Sequence, residues 1–409
     1  MSDDEPPLLH AFMGVGIELE YMIVDSDRLS VMPVADRLLE GGSDIARGRM
    51  GWSNELVLHV VEIKNVRPTA SLSLLPDAFQ AEVREIDRRL QAFGARLMPG
   101  AMHPWMDPRT ETRLWPHGNE AIYRTYDRIF DSRSHGWANL QSMHINLPFG
   151  DDDEFARLHA AIRLVLPILP ALAASSPFAE GRPVGWMDYR MRVYCDNAKG
   201  FPSIAGMIVP ETIASRAAYE ERILAPMYRD IAAHDPDKVL QHEWLNSRGA
   251  IARFDRNAIE IRVLDTQECP RADLAIAATV VDIVRRLYRA DRLVEQQEMS
   301  TAALARILQE CIRDADEAEI DNGAYLRLLD FPGERCTASA LWRHLIERMM
   351  ADDPRHDQHW TIPLEAILHH GSLARRILRA AGSQPSRPQL QAVYRTLCDC
   401  LHNGQPFLP

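Results

Sequence analysis

Four short stretches of this chain set polar residues, acidic in three of them, in a spacing that could do chemistry. Glu18 and Glu20 stand two residues apart in GIELEYMIV (residues 16–24), and Glu62 and Lys64 do so in VEIK (61–64). His144 and Asn146 repeat the spacing in MHINL (143–147), as do Glu260 and Arg262 in IEIRV (259–263). Gathered on one surface, these four carboxylates would repel, by about 4 kcal/mol for a pair about 4 Å apart at an effective dielectric near 20. Such a cluster must be protonated, splayed or neutralised by cations. An oxygen-rich set with a single imidazole suits Mg²⁺ or Mn²⁺ better than zinc. Mg²⁺ commonly bridges carboxylates to phosphates, and a guanidinium such as Arg262 can support a transferring phosphoryl group. The chemistry suggested is nucleotide-dependent phosphoryl transfer.

The usual phosphate and hydrolase signatures are missing. The sequence has no GxxxxGK[ST], no GxSxG and no HExxH, and Gly14-Val15-Gly16 offers two glycines that run into a strand rather than a helix. The carboxylates must therefore be positioned by strands. Side chains alternate between faces of a strand, so Ile17, Leu19, Tyr21 and Ile23 share one side while Glu18 and Glu20 share the other. Val61 and Ile63 oppose Glu62 and Lys64; Met143, Ile145 and Leu147 oppose His144 and Asn146; Ile259, Ile261 and Val263 oppose Glu260 and Arg262. One such strand alone reads as amphipathic with a solvated face. Glutamate in three of the four, with His, Asn and Arg beside it, points instead to a shared functional face.

Around these strands the helical period predicts helices over 71–93, ending near Gly94, and over 152–174, starting at an Asp cluster and interrupted by Pro167 and Pro170. Beyond residue 270 the texture is helical, with helices expected over 271–292, 301–315, 337–351, 364–381 and 387–402 and no strand. The expectation is an α+β fold. A sheet-based catalytic region spans 1–270, and a helical region over 271–409 packs on it as one compact unit.

Composition narrows the function classes. The 409 residues carry 46 basic and 58 acidic side chains, a net charge of −12, which disfavours nucleic acid as a partner. The six cysteines are scattered without a CxxC pair and read as reduced thiols of a cytoplasmic protein, and Cys195 reads as packing. The acidic N-terminus lacks signal-peptide character, and no segment reads as a membrane span, so no membrane partner is expected. Trp105, Trp115, Trp137 and Trp186 read as core anchors, and His369-His370 as a helix end. Oligomeric state is left open.

These segments also carry a resemblance. GIELEYMIVD resembles the GIEEE-type strand of the glutamate–cysteine ligase family, particularly its bacterial carboxylate–amine ligase branch. In order along the chain, Asn54-Glu55-Leu56 through Val61-Glu62-Ile63 is similar to the family's second acidic strand, and Pro99-Gly100-Ala101-Met102-His103-Pro104 to its G-T-H-P loop. His144-Ile145-Asn146 falls where relatives carry HVHV or TQVN. The segment from Ala174 to Gly181 with Asp188-Tyr189-Arg190 resembles SSPFWxG…SYR, and Glu260 through Asp265 resembles E-x-R-x-x-D. Together these cover about residues 12–270.

The resemblance implies a curved, mainly antiparallel sheet of the glutamine synthetase and guanidino kinase type, with helices on its outer face, holding ATP and Mg²⁺ or Mn²⁺ on its concave face. It implies metal-ligand roles for Glu18, Glu20, Glu62 and Glu260, with His144 and Asn146 beside the metal or nucleotide. Glu62 and Arg262 would be the catalytic pair, with Arg262 beside the γ-phosphate and Arg190 at the substrate carboxylate. His103 could contact substrate or cap its own loop. Lys64-Asn65 replaces a usual small hydroxyl residue and bears on the amino-acid pocket, and Ala179 replaces a frequent Trp. The implied reaction joins an amino-acid carboxylate, γ-glutamyl in the family, to cysteine or another amine through an acyl phosphate. A phosphotransferase of the same fold without ligation, or a non-catalytic nucleotide-binding relative, are the alternatives.

Overall fold

The computed structural model describes residues 8–352 and 356–409. Eight strands form one sheet: β1 (Gly16–Asp25), β2 (Asp44–Arg47), β3 (Met50–Asn54), β4 (Val60–Asn65), β5 (Ala95–Met98), β6 (Ser142–Pro148), β7 (Ala250–Arg253) and β8 (Ala258–Asp265). Their order is β2-β3-β4-β1-β6-β8-β7, with β5 paired to the second half of β1, and every pairing is antiparallel.

The apolar face follows the alternation read from the sequence. Ile17, Leu19, Tyr21, Ile23, Val61, Ile63, Met143, Ile145, Leu147, Ile259 and Val263 are fully buried, at 0% exposure. They pack on a helical layer that includes α1 (Pro76–Leu90), α3 (Asp152–Val165) and α4 (Pro270–Arg289). The helix α2 (Glu120–Phe130) differs: Thr125 is its one buried residue, while Ile122, Tyr123, Tyr126, Ile129 and Phe130 are half-buried.

Local chemistry sets the helix ends. Asp151 caps α3 by accepting from the Glu154 amide at 2.9 Å. Pro167 and Pro170 break the continuation into a 3₁₀ turn (Leu166–Ile168) and a short helix (Leu169–Ala173). The segment Asp152–Ala173 is, against the sequence expectation, apolar enough to cross a membrane by length and composition. Its most apolar window is 94% buried inside the protein, so it serves as the core helix. After α1, a 3₁₀ turn ends at Gly94, whose φ of 66° stops the helix.

The last third holds α4, α5 (Thr301–Asp314), α6 (Ala338–Asp352), α7 (His356–His370), α8 (Leu373–Ala381) and α9 (Arg387–Asn403), with shorter pieces between. Two expectations need correction. The helix expected over 364–381 is two helices, parted at Gly371, where φ is 81°. A two-strand ribbon, Glu319–Ile320 with Cys336–Thr337, lies where no strand was expected. One apolar cluster contains residues of both the sheet and these helices, from Val15 to Leu401.

Candidate active site

Strand register assembles the polar residues. Across β1 and β4, Glu18 faces Lys64 and Glu20 faces Glu62. Across β1 and β6, Gly16 faces Asn146 and Glu18 faces His144, and across β8 and β6, Glu260 faces Asn146. Opposed residues project from the same face, so all the paired carboxylates share the surface opposite the core. Gly16 keeps the two strands close: a Cβ there would sit 3.1 Å from Asn146 Cβ. A register shift between Ile261 and Leu264 marks a bulge against β6, while on the β7 side the Arg262 amide bonds the Gly249 carbonyl at 3.0 Å. Bulges commonly re-aim a side chain, and here Arg262 turns its guanidinium to Glu260, with Nε 3.0 Å from Oε1.

Each carboxylate has its own partners. His144 Nδ1 lies 3.0 Å from Glu18 Oε2, and Asn146 Nδ2 donates to Glu18 Oε1 at 3.2 Å. The Ser142 amide donates to Glu20 Oε2 at 2.6 Å and its hydroxyl to the same oxygen at 3.0 Å. Glu62 Oε1 accepts from Ser53 Oγ at 2.6 Å and from Lys64 Nζ at 3.0 Å. Glu260 accepts from Arg262 on Oε1 and from Arg253 Nη1 on Oε2 at 3.1 Å.

The electrostatics divide the acids into two kinds. Burial raises the Glu18 pKa, but the His144 hydrogen bond and the charges of His144 and Lys64 together outweigh it, and the carboxyl lies below its ordinary value. Burial likewise opposes ionisation of Glu260, yet Arg262, His144 and Arg253 hold it ionised. Burial lowers the His144 pKa, but Glu18, Glu20 and Glu260 raise it to about 9. Glu62 is the opposite case, pushed up to about 7 by burial and then by Glu18. Glu55 is pushed well up by burial, with Glu20 and Glu62 adding to it. For those two groups the positive charge of Lys64 does not offset burial and the neighbouring carboxylates.

Two donor sets could take further positive charge: Glu18, Glu62 and His144, and Glu20, Glu55 and Glu62, each with ligand atoms within 4.8 Å of one another. Glu62 belongs to both. Carboxylate-rich sets with at most one imidazole fit Mg²⁺ or Mn²⁺, and His144 would have to release its proton to serve as a ligand. Glu55 was missed as a site residue because it follows β3 in a loop, outside the strand alternation. Ser53, Ser142 and Arg253 were missed as well, since serine and arginine on a strand carry no distinctive signal.

At one end of this face, where β1 and β8 begin, lies a groove of about 810 Å³. Leu8, Leu9, Ile45, Val66 and Pro68 give it apolar walls, while Glu18, Lys64, Asn146 and Arg256 supply polar ones. Asn146 Oδ1 is buried there without a hydrogen-bond partner. At the other end, Asn54 Nδ2 donates to the hydroxyl of Tyr123 on α2 at 2.9 Å.

Two expected substrate contacts lie elsewhere. His103 is fully buried, with Nε2 2.7 Å from the Leu29 carbonyl and Nδ1 accepting from the Trp105 amide at 3.3 Å. Both nitrogens serve the loop, which leaves neither for a ligand. Arg190 is 2% exposed, and its Nε donates to Asp265 Oδ1 at 2.5 Å. Its Nη1 and Nη2 reach the Arg262 carbonyl at 3.3 and 3.4 Å. Asp265 also accepts from the Ser175 amide at 2.8 Å and Ser176 Oγ at 2.9 Å. Arg190 thus ties the SSPF segment to the end of β8 rather than presenting a free guanidinium.

The profile of glutamate–cysteine ligase family 2 matches residues 14–396. The chain belongs to that family. An uncharacterised protein of Archaeoglobus fulgidus is 30% identical over 399 residues, covering 96% of this chain and 100% of that protein. Among solved structures, a glutamate–cysteine ligase from Francisella tularensis in complex with AMP matches with a TM-score of 0.60 at 13% identity, covering 94% of this chain and 88% of that one. A bifunctional glutathione synthetase from Pasteurella multocida matches with a TM-score of 0.56 at 12% identity, covering 96% of this chain and 53% of that one. At these identities the likeness is one of fold, and the present family member spans about half of the bifunctional chain.

Proposed function

We propose that this family member is an ATP-dependent carboxylate–amine ligase that uses Mg²⁺ or Mn²⁺ and forms an amide through an acyl phosphate. The observation that carries the reading is the pair of donor sets sharing Glu62, set beside a groove of about 810 Å³. Glu18, Glu62 and His144 would hold one cation and Glu20, Glu55 and Glu62 another. When bound, the metal would neutralise phosphate charge and lower the cost of charge building up on the leaving ADP. The chain's own residues orient. Ser142 fixes Glu20, Asn146 and His144 fix Glu18, and Lys64 balances Glu62 at the groove edge. Arg262 holds a guanidinium beside the cluster, available to a γ-phosphate.

In the proposed sequence an acid substrate's carboxylate oxygen attacks the γ-phosphorus and ADP leaves. A neutral amine then attacks the acyl carbon, phosphate departs with the oxygen that carried it, and the amine loses a proton. Water competes with the amine, so the face must be covered during turnover. Glutamate is the acid that the family favours, with cysteine or another amine as acceptor. The test is ADP release with Mg²⁺ and ATP over a matrix of amino acids and amines. The reading expects sustained release only when both acid and amine are present, with a product lighter than their sum by one water. Sustained release with acid alone would instead favour a phosphotransferase.

A further inference from the structure

Lys64 stands where the acidic cluster meets the groove. Along β4, Glu62 faces Glu20 and Lys64 faces Glu18, so the lysine lies on the groove side of the carboxylate that both donor sets share. Nζ donates to Glu62 Oε1 at 3.0 Å, and the same oxygen accepts from Ser53 Oγ at 2.6 Å. A carboxylate oxygen has about two lone-pair sites, so Oε1 is filled while Lys64 stays. Elsewhere the ammonium is held lightly. Its other ionic partner is Asp44 Oδ1 at 3.6 Å, on a side chain that is 68% exposed. Gly51 of β3 faces Lys64 and brings no side chain to that face, which leaves the flexible lysine stem room to move.

Charge balance gives this tie a consequence. Glu260 is already matched by Arg253 and Arg262. The donor sets hold four further carboxylates, Glu18, Glu20, Glu55 and Glu62, and Lys64 offsets one of them. Even with His144 neutral, one divalent cation offsets two of the remaining three charges. A second would overshoot unless phosphates arrived with it. We propose that Lys64 is a placeholder: in the nucleotide-free chain its ammonium stands in for one of the two divalent cations at Glu62, so that the second cation enters only together with nucleotide. The inference rests on the metal–nucleotide reading of this face.

The experiment counts Mn²⁺ bound to the full chain, by electron paramagnetic resonance of the free ion, without nucleotide and with saturating ADP. Wild type is expected to take up one Mn²⁺ alone and two with ADP. Lys64→Met is expected to take up two without nucleotide, the second at least tenfold more tightly than wild type does under the same conditions, because Oε1 and its charge are released. Lys64→Gln is expected to do the same and serves if the Met variant does not fold. Arg256→Gln removes a cation from the groove wall that touches none of the four carboxylates, and it is expected to count as wild type does. A wild type that takes up two Mn²⁺ without nucleotide, or still only one with ADP, overturns the inference. So does a second Mn²⁺ on nucleotide-free Arg256→Gln, because the limit would then be the field of the whole groove rather than Lys64. Failure of the wild type to bind any Mn²⁺ with ADP overturns the metal reading and this inference together. The expected wild-type counts with Lys64→Met unchanged from them remove only the placeholder role.

Discussion

At the scale of single residues, the acidic face separates groups whose burial is offset by positive charge from groups in which it is not. Glu260 sits between two arginines and Glu18 beside His144, while Glu55 and Glu62 are pushed toward protonation by burial and by neighbouring carboxylates. A divalent cation should relieve the second kind most. Glu55→Gln is therefore expected to weaken Mn²⁺ binding by roughly tenfold or more, the range seen when even indirect supports of a metal are lost. Calorimetry in the presence of ADP checks this, and unchanged affinity would remove Glu55 from the donor set. Most of the paired residues were legible from sequence because strand alternation is strict. Glu55 was not, since a loop residue has no period, and neither was the commitment of Arg190 to Asp265, since burial depends on which segments meet. The sequence named His103 without deciding between ligand contact and loop support, and its two internal bonds point to the loop.

At the scale of elements, the bulge in β8 and the helix α3 carry most of the consequence. Gly249 accepts the Arg262 amide and has no room for a side chain: an added Cβ would meet Val263 Cγ1 at 2.5 Å and Leu166 Cδ1 at 3.0 Å. Gly249→Ala is expected to cost about 1–3 kcal/mol in urea unfolding and to lower turnover through displacement of Arg262. A neutral effect on both would show that Gly249 does not hold Arg262 in place. Helix α3 buries His159 with neither ring nitrogen hydrogen-bonded, and burial drags its pKa down to about 3. Because the folded value lies below the unfolded one near 6.5, the stability tied to neutral His159 is whole above pH 6.5. It is lost as pH falls from there toward the folded pKa. His159→Phe should thus gain on wild type by about 1 kcal/mol between pH 6.5 and 5.5. Denaturation at both pH values measures that difference, and a constant difference would contradict it. The interrupted core helix was readable from its Asp cap and prolines. The strands β2 and β3 were not, since DIAR and MGWSN are too short and mixed to show a period.

At the scale of the whole molecule, the C-terminal end of the chain closes over the sheet's supports. Phe407 is 3% exposed, in an apolar cluster with Met22 and Val24 of β1 and Met98 of β5. Its carbonyl accepts from Arg376 Nη1 at 2.8 Å, and Arg376 is paired with Glu268, three residues past β8. Phe407→Ala is expected to destabilise the protein by about 3–5 kcal/mol, read by urea unfolding of the full chain. A loss under about 1 kcal/mol would mean that the tail does not contribute to the fold. That docking could not be read from the sequence, because nothing in Gln405–Pro409 has a period or a motif.

The reaction proposed for the assembled face has one direct chemical mark. With the acid that supports turnover labelled with ¹⁸O in its carboxylate, together with its amine, ATP and Mg²⁺, the released phosphate can be analysed by mass spectrometry. An acyl phosphate requires one labelled oxygen in that phosphate and the other in the amide. Amide formation with unlabelled phosphate would contradict the account.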